Sequence, residues 1–291
     1  MNKGLSIKDL ENLSGIKAHT IRMWEKRYNI FDPSRTETNI RQYSNDDLRK
    51  LLNIASVSEH GMKISKISSL SENELNEQIE NLLQENIDAG RKILINELIV
   101  ATLKCDGISF ENTYGSYAEK HGLEKTLEDI IHPMLVRIGL MWTVSKLNPA
   151  QEHFASQLVR QKIFSAVNTI PTKNQKKKFI LFLPDGENHE IGLLYAYYLI
   201  KNAGHECIYL GASVPLEDVN EFSENAQAST IVCAFTIPRR PETIKKYLFK
   251  MSELFNGKEV LVHGINEQLA TSMPSSDINF LYNIQDLKNL L

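Results

Sequence analysis

The chain contains few cysteines and no long apolar segment. Its three cysteines, Cys105, Cys207 and Cys233, are odd in number and widely separated, so they provide neither a disulfide framework nor a paired zinc motif. No segment approaches the roughly 18 apolar residues of a membrane-spanning helix, and the N-terminus lacks the apolar region of a secretory signal. We therefore expect a reduced, cytoplasmic protein that does not act in a membrane.

Charge is distributed unevenly along the chain. The net charge is -3, but the first 70 residues contain 12 Lys and Arg against 8 Asp and Glu, a net charge of +4 that leaves -7 for the remainder. A small basic head on an acidic body is typical of a nucleic-acid reader with an attached regulatory region. Chance composition is the alternative.

The basic head has the pattern of two short helices joined by a glycine-containing turn. Ser6 and Asp9 are placed to cap an amphipathic helix over LSIKDLENL, and Ser14-Gly15 ends it. A second helix starts near Lys17. A turn-rich segment with two short strands follows, and Asp46 then begins another helix. This order predicts a helix-turn-helix with a small wing.

The segment HTIRMWEKRYNIFDPSRTETNIRQYS resembles the MerR-type winged helix-turn-helix family. The resemblance implies that two heads read a pseudo-palindromic double-stranded DNA operator. Its contacts would come from the start of the second helix and from the wing, where cations meet phosphates. Trp24 and Tyr28, four residues apart, would pack that helix onto the wing. The residues that the resemblance assigns to DNA binding are His19, Thr20, Arg22, Lys26, Arg35, Arg41 and Tyr43.

The wing tip departs from the family pattern. Thr38-Asn39 stands where the family often has two glycines. Asn tolerates a positive φ, so we expect the hairpin to form.

Two further regions follow the head. Residues 73–170 carry apolar spacings near 3.6 with short breaks, which predicts a four-helix bundle. The basic segment 171–178 is interpreted first as a solvated hinge and second as an additional DNA contact. Residues 178–291 alternate short apolar strands with helices and so predict a parallel α/β domain, which we expect to be flavodoxin-like (Rossmann-type). The expected protein is multidomain, with a mainly α-helical winged head at 1–72.

The α/β region contains Glu187-x-His189-x-x-Gly192 directly after its first strand, where ligands of such sheets bind. Alone, the pattern is weak, because a histidine there often lies beside a helix cap or is a satisfied polar group. The motif resembles the D/E-x-H-x-x-G signature of cobalamin-binding domains. The resemblance implies that His189 is the lower axial ligand of cobalt and that Glu187 hydrogen-bonds its other ring nitrogen. Gly192 would let the helix start near the nucleotide tail, and Gly211 would lie at the end of the second strand.

The bundle contains Trp142 followed, after nine residues, by Glu152-His153. This spacing resembles the helical cap of light-responsive, cobalamin-dependent MerR-family repressors of the CarH and LitR type. There the cap covers the adenosyl side of the corrin, which implies an aromatic wall from Trp142 and a ribose acceptor from Glu152. The alternative is an ordinary core tryptophan followed by a helix start.

Three positions depart from that family. Thr143 replaces the histidine that becomes the upper ligand after light cleaves the cobalt–carbon bond, and His132 or His153 would have to substitute. Cys233-Ala234-Phe235 replaces S-x-L, which would place Phe235 near the tail channel. His263-Gly264 replaces Gly-Gly. The resemblance assigns these positions, including Gly264, to the cofactor pocket.

The sequence thus predicts a repressor rather than an enzyme. It would form a dimer or tetramer controlled by adenosylcobalamin and by light. The ordinary MerR dimerisation helix is missing, so pairing would come from the C-terminal region. The alternative is a cobalamin-independent regulator with a degenerate sensor that acts constitutively or through a protein partner. A cobalamin-dependent methyltransferase or mutase would need a further catalytic domain.

Overall fold

The computed structural model describes residues 4–36, 38–85, 87–143, 147–171, 177–237, 239–272 and 278–291. These residues form two compact units, Met1–Leu158 and Val159–Leu291. None of the described helices combines the length and the apolar character needed to cross a bilayer. Most of segment 171–178, interpreted from sequence as a hinge, lies outside the described residues. The three-domain division stays a prediction.

The head is built as the sequence predicts. A reciprocal capping box between Ser6 and Asp9 begins the first helix, and Gly15 ends it with a φ of 75°. A second capping box at Ser44 begins the helix that follows the wing. The wing strands pair antiparallel. The elements are α1 (Ile7–Ser14), α2 (Ala18–Tyr28), β1 (Ser34–Arg35), β2 (Arg41–Gln42), α3 (Asn45–Glu59) and α4 (Ile64–Ile67).

The rest of the first unit is helical. Helix α6 is buried around most of its circumference and contacts α5, α7 and α8 as well as α3 of the head. The short breaks expected in this region include Asp106, which caps α7, and Gly122, which is non-helical. The helices are α5 (Glu72–Glu85), α6 (Ile87–Lys104), α7 (Gly107–Thr126), α8 (His132–Thr143) and α9 (Pro149–Thr169).

A π-helical turn, Leu127–Ile131, joins α7 to α8. Pro133, two residues after this turn, has no backbone N–H, so the usual hydrogen bond to the carbonyl four residues earlier cannot form. A wider turn is one way for a helix to accommodate that loss.

The second unit contains a five-stranded parallel sheet in the order β4-β3-β5-β6-β7. Its first strand therefore lies between the second and the third, the flavodoxin-like order that the sequence predicts. The strands are β3 (Lys178–Pro184), β4 (Glu206–Val214), β5 (Thr230–Ala234), β6 (Glu259–His263) and β7 (Ile278–Leu281), and the helices are α10 (Ile191–Asn202), α11 (Leu216–Ala226), α12 (Pro241–Leu254), α13 (Glu267–Thr271) and α14 (Ile284–Leu290).

One face of this sheet contributes a continuous apolar core. Alternate residues of β3, β5 and β6 pack there against α11 and α12, among them Phe182, Cys233 and Val262. Right-handed crossovers place α10 and α14, which contact each other, on the opposite face. The order reverses between β3 and β5, so their carboxyl ends form the switch point at which such sheets bind ligands.

Candidate functional site

The second helix of the head presents an exposed polar surface. His19, Arg22 and Lys26 are exposed, and Thr20 is half-buried. Trp24, on the other side of this helix, is 8% exposed, which confirms its predicted packing role. Three of the residues predicted to read DNA thus remain accessible to a ligand.

The wing forms a closed turn at its tip. Asn39 has a φ of 62°, as expected from its replacement of a family glycine. Its backbone N–H donates to the carbonyl of Thr36 at 2.8 Å. Arg35 donates to the side-chain oxygen of Asn39, also at 2.8 Å. The hairpin therefore forms without glycine at this position.

Two other residues predicted to bind DNA are joined inside the head by Glu25. The Tyr43 hydroxyl and the Arg41 Nε each donate to this carboxylate at 2.7 Å. Burial and the bond to Glu25 raise the pKa of Tyr43. Tyr43 is only 1% exposed, so in this structure it packs the wing against α2. Its predicted phosphate contact stays a prediction.

The head is attached to the bundle by a buried guanidinium. Arg137 of α8 donates to the amide oxygen of Asn96 at 2.6 Å and to the carbonyl of Leu13, at the end of α1, at 3.1 Å. Burial lowers the pKa of Arg137. Among the described residues no carboxylate pairs with it, so the negative end of α1 supplies its electrostatic compensation.

The three predicted cap residues lie in or near solvent. Trp142 is 55% exposed, so it is not an ordinary core residue. Glu152 is half-buried, and its Oε2 lies 3.5 Å from the Nε2 of the exposed His153. His132 is also exposed. The side chain of Thr143 lies outside the described residues.

His189 lies at the switch point of the sheet, in the loop between β3 and α10. Its side chain is exposed, and among the described residues its imidazole has no hydrogen-bond or ion-pair partner. Gly192 follows in the first turn of α10, where an added Cβ would meet no described atom within 4 Å. His189 directly precedes Glu190 at the N-cap position of α10, so the alternative of a histidine beside a helix cap still stands. The space beside Gly192 is open.

The carboxylate of Glu187 binds a neighbouring loop rather than His189. Glu187 is fully buried and accepts from the Thr236 hydroxyl at 2.5 Å, from the backbone N–H of Ile237 at 3.2 Å and from the Arg239 Nε at 3.2 Å. These donors belong to the loop after β5, across the switch point. The expectation that Glu187 hydrogen-bonds the His189 ring is therefore corrected for this conformation.

A second buried carboxylate, which the sequence analysis missed, follows His189 directly. Glu190 is 9% exposed, forms an ion pair with Arg160 of α9 and accepts from the Tyr209 hydroxyl at 2.5 Å. Burial and that hydrogen bond raise the pKa of Tyr209. The three residues are separated by 30 and 19 positions, and no local spacing links them. The sequence signal for this cluster was limited to the acidic residue, Glu190, next to His189.

The remaining predicted pocket residues are mostly packing residues. Cys233 is fully buried and Phe235 is 4% exposed, and both belong to the core that faces α12. The ring of Phe235 meets that of Tyr247 edge-on, and the expectation that Phe235 lies near a tail channel stays a prediction. Burial raises the pKa of the Cys233 thiol.

Two glycines have backbone roles. At Gly264 an added Cβ would lie 1.8 Å from the carbonyl oxygen of Phe235, and the φ is 87°, so only glycine fits. Gly211, predicted at a strand end, lies within β4 at a β-bulge with a φ of 85°. Gly264 shapes the end of β6 and Gly211 shapes the bulge within β4, and neither role requires a cofactor.

Comparisons with known proteins match the head and the helical region that follows it. The family model "MerR HTH family regulatory protein" matches residues 5–74, and "B12 binding domain" matches residues 66–164. The chain thus combines a MerR HTH domain with a B12-binding domain. It is homologous to two Myxococcus xanthus proteins, the HTH-type transcriptional repressors CarH, at 27% identity over 71% of this chain and 70% of CarH, and CarA, at 25% over 84% and 81%.

A solved structure shares the fold. The Methanosarcina barkeri monomethylamine corrinoid protein superimposes with a TM-score of 0.53 at 12% identity, covering 68% of this chain and 96% of that protein. The likeness supports a helical bundle combined with a parallel α/β domain.

The residues at the switch point fit a corrinoid in part. An exposed imidazole without a partner, near a glycine with open space beside it, can bind the metal of a cofactor. The carboxylate of Glu187 already accepts hydrogen bonds from other donors. It would therefore hold the loop after β5 in place and would not fix the tautomer of the His189 imidazole.

Proposed function

We propose that this protein is a transcriptional repressor whose DNA binding is controlled by adenosylcobalamin. The observation that carries the proposal is the exposed His189 at the switch point of a flavodoxin-like sheet, in a chain that also has a MerR head. The relatives named above are repressors, which supports a regulator rather than an enzyme. The proposed domains are the head at 1–72, the cap at 73–170 and the sensor at 178–291.

In this proposal the head reads one half of a pseudo-palindromic operator. Exposed side chains of α2 contact bases and phosphates, and Arg35 and Arg41 add cations from the wing. Because phosphate contacts release counterions, the affinity falls steeply with salt. Two or four heads in one assembly raise the affinity without any new contact.

His189 would hold the cobalt of the cofactor, with Trp142, Glu152 and His153 in the roles that the resemblance gives them. Bound adenosylcobalamin supplies a cobalt–carbon bond that light can cleave. The protein must bind the cofactor more tightly in its DNA-binding assembly than in its dissociated form, because only differential affinity shifts such an equilibrium.

The test is a mobility-shift titration of the promoter DNA with the full-length protein, with and without adenosylcobalamin, in the dark and after illumination. We expect cobalamin in the dark to tighten binding and illumination to reverse that effect. His189→Ala should abolish the cofactor effect, and His121→Ala, at an exposed histidine of α7, should preserve it. Failure of adenosylcobalamin to co-elute with the protein in gel filtration would reject the sensor.

One observation favours the second candidate, a regulator that works without cobalamin. The loop after β5 already saturates Glu187, as a sensor closed in the absence of cofactor would require. This alternative predicts that the cofactor-free protein forms its full oligomer and binds DNA identically in light and dark.

A further inference from the structure

Arg160, Glu190 and Tyr209 form a buried polar triad beside His189. Glu190 occupies the N-cap position of α10, but its side chain makes no capping hydrogen bond. Its carboxylate instead accepts from Arg160 of α9 and from Tyr209 of β4. A charge buried to this extent is tolerated when it is paired and its lone pairs are satisfied. Removal of either donor would therefore leave the carboxylate poorly compensated inside the unit.

Aromatic packing fixes the same contact. The ring of Tyr209 stacks on Tyr197 at 5.2 Å and meets Phe164 edge-on at 5.9 Å. Arg160 and Phe164 are four residues apart on α9 and so project from the same face of that helix. This face of α9 is held against β4 and the start of α10 by one ion pair and one aromatic contact.

His189 lies in a short span that is anchored on both sides. Two residues earlier, the carboxylate of Glu187 binds the loop after β5. The backbone carbonyl of Glu187 accepts from the backbone N–H of Ser213 at 3.0 Å. One residue later, Glu190 is held by the triad. The imidazole itself is exposed between these anchors. The backbone that carries it is thus fixed although the side chain has no described partner.

We propose that Arg160 and Tyr209 are positioning residues for His189, acting through Glu190. They hold the loop and the first turn of α10 so that the imidazole faces the space beside Gly192 before any ligand arrives. This inference rests on the proposed function, since it concerns the histidine assigned there to cobalt. Groups that orient a metal ligand without touching the metal typically change metal affinity by about 10–100-fold.

The test compares Arg160→Gln and Tyr209→Phe with the wild type and with Gln161→Ala, an exposed neighbour on the same helix. Tyr209→Phe keeps the ring and removes one hydroxyl, so it remains informative if the arginine variant fails to fold. Arg160→Lys tests rescue, because lysine restores the charge without the planar fork. The first measurement is amide hydrogen exchange of the cofactor-free protein over residues 188–194.

We expect exchange in this segment to accelerate about tenfold or more in Arg160→Gln and Tyr209→Phe, and to stay unchanged in Gln161→Ala. The second measurement is hydroxocobalamin affinity and absorption spectrum. The same two variants should bind about 10–100-fold more weakly and lose part of the spectral signature that His189→Ala removes entirely, and Arg160→Lys should restore part of both.

The two failures are distinguishable. Wild-type exchange rates in both variants, together with an unchanged spectrum, would overturn the positioning role. If the wild type binds no cobalamin, the proposed function fails, and hydrogen exchange in the cofactor-free protein still decides whether the triad holds the loop.

Discussion

The role of Glu187 can be decided by replacing it with glutamine. The side chain is fully buried and accepts hydrogen bonds from a hydroxyl, from backbone amides and from the guanidinium of Arg239. Glutamine has nearly the same shape, but it turns an NH2 group toward donors and leaves Arg239 without its charge partner. Breaking one partner of such a buried pair costs about 3–5 kcal/mol.

The expected result is a large loss of stability in the cofactor-free protein. In a unit of about 130 residues, each kcal/mol lowers the melting temperature by roughly 3–4 °C, so the Glu187→Gln loss corresponds to about 10 °C or more. Differential scanning calorimetry of the full chain measures it. Glu217→Gln is the matched control, because Glu217 forms an ion pair with Lys250 while remaining 60% exposed. An exposed pair of this kind contributes little to stability, because water and salt screen it.

A double-mutant cycle separates this role from the one expected from sequence. Arg239→Gln and the double variant should reveal a coupling of about 1–3 kcal/mol with Glu187. If Glu187 instead acts on the imidazole of His189, Glu187→Gln would leave the cofactor-free melting temperature near that of the wild type and change only the spectrum of bound cobalamin. That result would refute the reasoning from the geometry.

Three further changes test the first unit. Arg137→Gln should destabilise the junction of head and bundle by about 1–3 kcal/mol, because it leaves two buried acceptors unpaired. Calorimetry measures the loss. The control is Lys92→Gln, which removes an exposed ion pair between the same parts and should cost less than about 1 kcal/mol. Tyr43→Phe should leave the salt dependence of DNA affinity unchanged, because the tyrosine hydroxyl is hydrogen-bonded inside the head. Arg22→Gln should reduce the slope of log affinity against log salt concentration by about one if Arg22 contacts a phosphate. An equal reduction in Tyr43→Phe would show that Tyr43 contacts a phosphate too. Burial raises the pKa of Glu97, so the folded state holds its proton more tightly than the unfolded state, and stability falls as pH rises through the range between the two pKa values. Glu97→Gln should therefore be more stable than the wild type at pH 7, and denaturation curves from pH 4 to 8 that run parallel for both proteins would contradict this.

Local sequence chemistry accounts for most of the elements. Capping boxes at Ser6 and Ser44, the left-handed residue Gly15 and the alternation of strands with helices could be recognised before any tertiary contact was known. These signals depend on residues a few positions apart or on periodicity, so they can be recognised in a single sequence. The same alternation predicts a parallel sheet covered on both faces, and right-handed crossovers leave few topologies for it, without selecting one strand order.

The sequence by itself therefore determined the order of the parts, the cations on the exposed face of α2 and the one histidine that meets the switch point. It did not determine what each buried carboxylate touches. Glu187 binds residues about 50 positions away, and Glu190 binds Arg160 and Tyr209 from two different elements. Such partners are chosen by the packing of strands and helices in three dimensions, since a buried charge takes whichever donors the fold brings within reach.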